Sequence, residues 1–238
     1  MIEALDTAPE RDMAQVIAAY VVGIAMFMAI MLGAQYVAMG VVEEKTSRVV
    51  ELLLSTVRPA QLMAGKILGI GTVALIQVGL TLVAAVIGAQ IAGLLDGTGL
   101  EVGSTLFWSL AWFLVGFATF ATFIAALAAL VSRQEEVGSV TTPATMLMIL
   151  PYVFGVNVLP WDPENTLAAI LSWVPGFAPF LMPMRAALGS AGTWEVAGSL
   201  LLNIAVLPLL VWFAGRVYSN AVLRTGARIK LAEAMKPA

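Results

Sequence analysis

The most charged stretch in the first half of the chain is VVEEKTSRVVELLLSTVRP, residues 41–59. Its carboxylates Glu43 and Glu44 and the guanidinium of Arg48 are side chains that could do acid–base chemistry or contact another charged surface. The chain contains no histidine and no cysteine. This excludes imidazole acid–base catalysis, thiol nucleophiles, disulfides and the commonest zinc ligands.

Glu43, Glu44 and Arg48 spell E-E-x-x-x-R, which resembles a motif of membrane-embedded prenyl-protein proteases. Those enzymes need histidines to bind a metal or to activate water. Because this sequence has none, the resemblance ends at the motif, and we reject a hydrolase of that type. The sequence predicts no catalytic residue and no metal site.

The composition is that of a membrane protein. Hydrophobic residues make up 61% of the 238 positions and charged residues 11%, and the mean hydropathy is +0.95. About 20 apolar residues in a helix cross a bilayer core of about 30 Å. The apolar segments lack the alternation of barrel strands. We therefore predict an all-α integral membrane protein with transmembrane helices at residues 14–40, 67–95, 106–131, 137–159 and 196–215.

The distribution of basic residues predicts the orientation, because cytoplasmic loops carry an excess of Lys and Arg. Ten of the 12 basic residues fall on one side of the five spans: Lys45, Arg48, Arg58, Lys66, Arg133, Arg216, Arg224, Arg228, Lys230 and Lys236. Only Arg11 and Arg185 fall on the other. We predict a multi-pass protein of the cell (inner or plasma) membrane with its N-terminus outside and its C-terminus cytoplasmic. No basic patch with interleaved aromatics indicates a nucleic-acid partner.

Residues 1–13 form an acidic, extracytoplasmic tail that lacks the basic region of a signal peptide. Either the chain is the later part of a longer protein, which we favour, or the tail is carried across with the first span. The other predicted regions are a transmembrane domain at residues 14–217 and a basic cytoplasmic tail at residues 218–238.

Apolar residues recur at helical spacing between the charges that follow the first span: Val49, Val50, Leu53, Leu54 and Val57. Glu44 and Arg48 stand four positions apart and can pair on the opposite face. Pro59 then interrupts the pattern. We predict an amphipathic helix over residues 43–58, along the cytoplasmic surface. The simpler alternative is an interfacial loop whose ions are only solvated.

Extended to residues 43–71, EEKTSRVVELLLSTVRPAQLMAGKILGIG, the stretch resembles the permeases of type-2 ATP-binding-cassette exporters, especially the branch that includes sodium-efflux permeases. The positions that carry the resemblance are Glu43, Glu44, Lys45, Glu51, Leu52, Leu53, Pro59, Gly65 and Lys66. The tail at residues 217–236 is similar to the family's basic cytoplasmic end. Family members have six spans, with an extracytoplasmic domain commonly inserted between the first two in this branch. This chain matches from the second span onward.

The resemblance implies that residues 43–58 are a coupling helix, which docks into a groove on a separate ATP-binding-cassette ATPase subunit. It also implies a second permease copy, in a homodimer or heterodimer, and alternating access between the cytoplasm and the outside. The residues expected at the ATPase contact are Glu43, Glu44, Lys45, Arg48, Glu51, Leu53 and Pro59. An apolar ridge with a charged rim suits such docking. The alternative for any one of these ions is that it only flanks the membrane.

The sequence contains no ATP-binding P-loop around its Gly-Lys pair, because Lys66 is followed by Ile67 and position 60 is alanine. The five predicted spans also lack the ionisable groups that ion-coupled transporters keep inside the membrane. Both absences predict that a partner subunit uses ATP to supply the work, and that this chain binds no cofactor directly.

Two polar side chains within the spans, Gln35 and Gln77, are our predicted substrate-path residues. The alternative for such groups is an ordinary hydrogen bond between helices. Residues 160–185 are rich in proline and aromatics, and we predict an outer re-entrant segment here, with a short re-entrant or interfacial helix at residues 165–173. In the resembling family such a segment caps the exit route.

The sequence thus predicts the membrane subunit of an ATP-driven exporter. Two alternatives remain open: a channel or ion permease that works alone, and a non-transporting membrane assembly protein whose charged helix docks something other than an ATPase. The resemblance suggests sodium as the substrate, and the uncharged spans suit amphipathic drugs or peptides equally well.

Overall fold

The computed structural model describes residues 13–47, 53, 55–96, 100–222 and 231–235. Within these ranges the chain is mainly helical and has no strand, which confirms the all-α class. The helices are α1 (Met13–Thr46), α2 (Pro59–Ile91), α3 (Val102–Ala128), α4 (Gln134–Val158), α5 (Thr166–Leu171), α6 (Ala178–Ala187), α7 (Thr193–Ala221) and α8 (Leu231–Ala234). Five of them, α1, α2, α3, α4 and α7, are long and apolar enough to cross a membrane, as predicted.

Each long helix extends beyond its predicted segment at one end or both, although α2, α3 and α4 end before their predicted last residues, at Ile91, Ala128 and Val158. α1 has 34 residues, whereas about 20 cross the hydrocarbon core. α2 begins at Pro59, before the predicted start at residue 67, and α7 continues to Ala221, past the predicted end at residue 215. Hydropathy detects only the part of a helix that lies in hydrocarbon, and the helices do not end where the charges begin.

The bundle has two ends of different charge. α1, α3 and α7 end, and α2 and α4 begin, at what we call the basic end, whose basic residues are Lys45, Arg58, Lys66, Arg133 and Arg216. The opposite, acidic end has the acids Asp96, Glu101, Asp162, Glu164 and Glu195. The two ends correspond to the two sides into which the sequence divides these charges.

The centre of the bundle is formed by α1 and α3, and it depends on positions without a side chain. The ring of Phe117 on α3 lies between Gly33 of α1 and Gly71 of α2. A Cβ atom added to Gly33 would lie 2.6 Å from that ring, and one added to Gly71 would lie 2.7 Å from it. The three helices can approach this closely because both positions are glycine.

Residues 160–185 form more structure than the sequence predicted. A short helix, α5, lies within the predicted range of residues 165–173, and the Oδ1 atom of Asn165 accepts a hydrogen bond from the Ala168 amide at 3.1 Å. That is the usual N-cap of a helix. The second helix, α6, is buried along almost its whole length.

α6 is held inside the bundle by large side chains. The ring centroid of Phe180 lies 6.3 Å from that of Phe27 on α1 and 5.5 Å from that of Phe120 on α3. The sulfur of Met184 would lie 2.8 Å from a Cβ atom added to Gly23 of α1. α6 therefore packs between other helices instead of lying on a surface.

Candidate functional site

The first charged residues of the predicted coupling helix lie in the last turn of α1. Glu43, Glu44 and Lys45 continue the first membrane helix, which ends at Thr46, and do not begin a separate helix. The physical reason is local, because no proline and no run of turn residues separates the apolar span from these charges. The end of α1 therefore carries the acidic pair directly.

The rest of the predicted helix over residues 43–58 is only partly described. Arg48 and Glu51 lie outside the described residues. Leu53 is helical and partly buried, and residues 55–57 form a turn and a bend. Pro59 opens α2, where its missing N–H is not needed, and the Gln61 Oε1 atom accepts from the Arg58 amide at 2.9 Å.

Glu44 forms an ion pair between α1 and α2. Its Oε2 atom lies 2.8 Å from the Nζ atom of Lys66, whose side chain is 9% exposed. The Lys66 side chain passes Gly40 of α1, where an added Cβ atom would lie 3.0 Å from Nζ. The predicted pairing of Glu44 with Arg48 involves a residue outside the described ones, and the structure gives Glu44 a partner at the start of the next span.

Lys45, one of the predicted contact residues, does not lie at a surface. Its side chain is 1% exposed. The ammonium donates hydrogen bonds to the Ala129 carbonyl at 2.7 Å and to the Ala221 carbonyl at 3.0 Å. These carbonyls lie at the C-terminal ends of α3 and α7. Lys45 therefore connects three helices and faces the interior of the bundle.

Thr46 adds a further connection. Its hydroxyl lies within hydrogen-bonding distance of two carbonyl oxygens, that of Val42 at 2.8 Å and that of Ser132 at 3.1 Å, between α3 and α4. Three successive side chains, Glu44, Lys45 and Thr46, thus join the end of α1 to α2, to α3 and α7, and to the α3–α4 connection. We call these three residues the α1 hub.

An open groove lies beside the α1 hub, at the basic end of α2. Its volume is about 530 Å³, and its walls are mainly apolar, including Leu53, Val57, Leu62 and Ile70. The Glu44–Lys66 pair also borders it. The arrangement combines an apolar surface with a charged edge, as protein–protein interfaces do.

The two predicted substrate-path residues lie in different surroundings. Gln35 on α1 is half-buried, and its Nε2 atom lies 3.3 Å from the Thr145 hydroxyl of α4. Such a bond between helices is the alternative that the sequence left open. Gln77 on α2 is exposed on the outer surface of the bundle. The structure does not bring the two glutamines together.

Sequence reasoning missed a buried cluster around Arg185 at the acidic end. The guanidinium donates to the Ser172 hydroxyl at 2.9 Å, to the Ser190 carbonyl at 3.0 Å and to Glu195 at 3.3 Å. Arg185 is 3% exposed. A lone arginine on the acidic side was a usable signal, because a buried cation requires partners.

The described residues contain no group of three or more acids that could hold a metal ion. At the basic end, hydrogen bonds and an ion pair connect several helices beside an accessible groove. Such an arrangement can transmit a movement or bind another protein.

Comparison with known proteins identifies one family and two uncharacterized relatives. Residues 5–216 match the model described as ABC-2 family transporter protein. The chain is 29% identical over 236 residues to the uncharacterized protein YhaP of Bacillus subtilis, an alignment covering 91% of this chain and 54% of that protein. It is 26% identical over 212 residues to the uncharacterized protein MJ1024 of Methanocaldococcus jannaschii, with 89% and 51% covered. The chain spans about half the length of these curated relatives. No solved structure matches it significantly.

Proposed function

The chain belongs to the ABC-2 family of transporter proteins, and on that premise we propose that it is the permease subunit of an exporter driven by a separate ATPase subunit. The ATPase docks at the basic end. Two permease copies alternate access between the two sides of the membrane and move a solute outward. The second copy is either this chain again or a related one.

The observation that carries this proposal is the groove beside the α1 hub. A partner that inserts there contacts apolar side chains such as Leu53 and Val57 and also the Glu44–Lys66 pair. Burial of the apolar side chains supplies affinity, and the ions fix the orientation of the partner. Glu43 is exposed nearby and can contribute to the charged edge.

The predicted contact residues divide into two groups under this proposal. Glu43, Glu44, Leu53 and Pro59 stay at or near the docking surface, together with Arg48 and Glu51, which lie outside the described residues. Lys45 is buried and acts from inside the bundle. The proposed docking surface is therefore the groove with its ionic edge.

The orientation follows from the charges. We place the basic end in the cytoplasm, because cytoplasmic loops of membrane proteins accumulate Lys and Arg. An ATPase that uses cytoplasmic ATP then meets the same end that holds the groove. The acidic end, with α5 and α6, faces the outside.

Residues 43–71, which resemble sodium-efflux permeases, support sodium as the first substrate to test. Gln35 lies between α1 and α4, and Gln77 faces outward towards lipid or a second copy. We propose that the substrate passes Gln35. Gln77 contacts the substrate only if the second copy packs on α2.

The test is co-purification of an ATPase encoded beside this chain. Leu53→Asp places a charge on the apolar wall of the groove, and Leu53→Met is the matched control that keeps the wall apolar. Burying a leucine contributes about 1.5–3 kcal/mol, so we expect Leu53→Asp to weaken ATPase binding at least about tenfold. Leu53→Met should bind like the wild type. If both variants retain the ATPase equally, or if the wild type binds none, the proposed function is wrong.

A further inference from the structure

Lys45 is a buried cation whose described hydrogen bonds go only to backbone carbonyls. Its ammonium holds the Ala129 and Ala221 carbonyls, at the ends of two helices distant in sequence. We infer that Lys45 is a positioning residue, which makes the ends of α3 and α7 move with the end of α1. This inference rests on the proposed function, because it concerns how a displacement caused by ATPase docking enters the bundle.

The charge of Lys45 is balanced by the two helices. Each helix C-terminus carries about half a negative elementary charge. α3 ends at Ala128, with Ala129 as its C-cap, and α7 ends at Ala221. Two such ends together offset one ammonium. The carboxylate of the adjacent Glu44 is meanwhile paired with Lys66.

Lys45 also donates to a carbonyl at the end of each of these helices. The last carbonyls of a helix lack partners within it, and a glycine just past the end often supplies the turn that satisfies them. At the end of α3 the Leu127 and Ala128 carbonyls accept from the Leu130 and Val131 amides, and the Ala129 carbonyl accepts from Lys45. At the end of α7 the Ala221 carbonyl accepts from the same ammonium. The ends of α3 and α7 therefore depend on where the end of α1 stands.

The position of Lys45 in the chain connects this contact to the proposed docking surface. Glu44, in the last turn of α1, borders the proposed docking surface. A partner that moves this edge acts on the turn that carries Lys45. Since α7 is bound to that turn through Lys45, α7 should follow, whereas without the ammonium α1 could move alone.

The chain has no cysteine, so two introduced cysteines can be labelled before the ATPase is added, and dilution with unlabelled wild-type chain leaves only the distance within one copy. Ser47→Cys, just after α1, and Ser219→Cys, near the end of α7, take spin labels for distance measurement. The complex with its ATPase is measured without nucleotide and with MgATP plus vanadate. We expect one narrow distance distribution, the same in both states. A shift of about 5 Å, one helical turn, in this protein with Lys45 intact would overturn the inference.

The variant Lys45→Met keeps the length of the side chain and removes its donors, and Lys45→Arg restores a cation with donors. We expect Lys45→Met to bind the ATPase but to show a distance that changes with nucleotide, and Lys45→Arg to return towards the intact protein. A role confined to stability would lower the melting temperature without a nucleotide-dependent distance. If Lys45→Met binds the ATPase and keeps the constant distance, the inference alone fails. If no ATPase binds even with Lys45 present, the proposed function fails.

Discussion

Two buried cations, one at each end of the bundle, are held in different ways. Arg185 at the acidic end contacts Ser172, Ser190 and Glu195, all within 13 positions of it in sequence. Lys45 at the basic end contacts carbonyls that lie 84 and 176 positions away. Both side chains are almost completely buried. A buried charge needs hydrogen-bond partners. The two terminal nitrogens of Arg185 find them locally, whereas its Nε has none, and Lys45 finds its partners across the fold.

The two cations therefore stabilise different kinds of contact, one between neighbouring segments and one between distant helices. The contacts of Arg185 join α6 to the end of α5 and to the start of α7, which are neighbours in sequence, and the Ser199 hydroxyl also donates to the Ser172 carbonyl at 2.7 Å. The contacts of Lys45 join helices that are far apart in sequence, so they hold only while those helices keep their mutual positions. The acidic end is held by contacts between neighbouring parts of the chain, and the basic end by contacts between distant parts.

The largest effect should come from removing the local cation. Arg185→Met removes the donor of three hydrogen bonds, to the Ser172 hydroxyl, the Ser190 carbonyl and Glu195, and a hydrogen bond to a charged group contributes about 1.5–3 kcal/mol. We expect a fall of that size in the free energy of unfolding, measured by denaturant titration in micelles. ATPase binding by the folded fraction should not change.

Glu195→Gln is the control for Arg185→Met. The Glu195 side chain is 27% exposed, and the neutral amide still offers an oxygen to Arg185. We therefore expect a smaller loss than for Arg185→Met. Equal losses for the two variants would show that the carboxylate, and not the whole local cluster, holds Arg185.

The next effect concerns α5, within the same local segment. Asn165→Ala removes the acceptor for the Ala168 amide, and loss of an N-cap costs about 1 kcal/mol. We expect faster hydrogen exchange at the amides of α5 and unchanged exchange at the basic end. Asn165→Ser keeps a capping oxygen and should exchange nearly like the wild type. Faster exchange at both ends would contradict the local character of this segment.

The smallest effect on stability is expected from the ion pair of the α1 hub. Glu44→Gln removes the charge opposite Lys66, and the Glu44 side chain is 27% exposed. Partly exposed pairs contribute about 0.5 kcal/mol, and salt screens them. We expect a small fall in melting temperature at low salt that shrinks at high salt. Glu43→Gln, at an exposed position on the same turn, is the control and should change little in either buffer.

Much of the fold could be predicted because it depends on composition along the chain. The five spans follow from apolar length, and the short helix at α5 follows from the interruption by prolines and an asparagine cap. α6 was missed because its prolines and aromatics are typical of an interface, whereas Phe180 and Met184 find space between α1 and other helices. The space for Met184 exists because Gly23 has no side chain there, and no local sequence pattern shows this.

The predicted contact residues remain a prediction, but the structure shows where some of them lie. Glu44 and Leu53 border the groove, and Glu44 forms an ion pair. Its partner Lys66 lies 22 positions on, across a turn, because α1 and α2 run side by side at the basic end. Sequence spacing within one helix favoured Arg48, and only the packing of two helices brought Lys66 to Glu44.

By itself the sequence determined that this is an all-helical membrane protein with five spans, because the hydrocarbon core accepts apolar helices and excludes charges over that length. It also determined which end of the bundle is basic. Only the tertiary structure decided that Lys45 faces inward while its neighbours Glu43 and Glu44 do not. From the sequence, a lysine adjacent to two glutamates is expected to be solvated. The structure places the carbonyls of two distant helix ends within hydrogen-bonding distance of its ammonium.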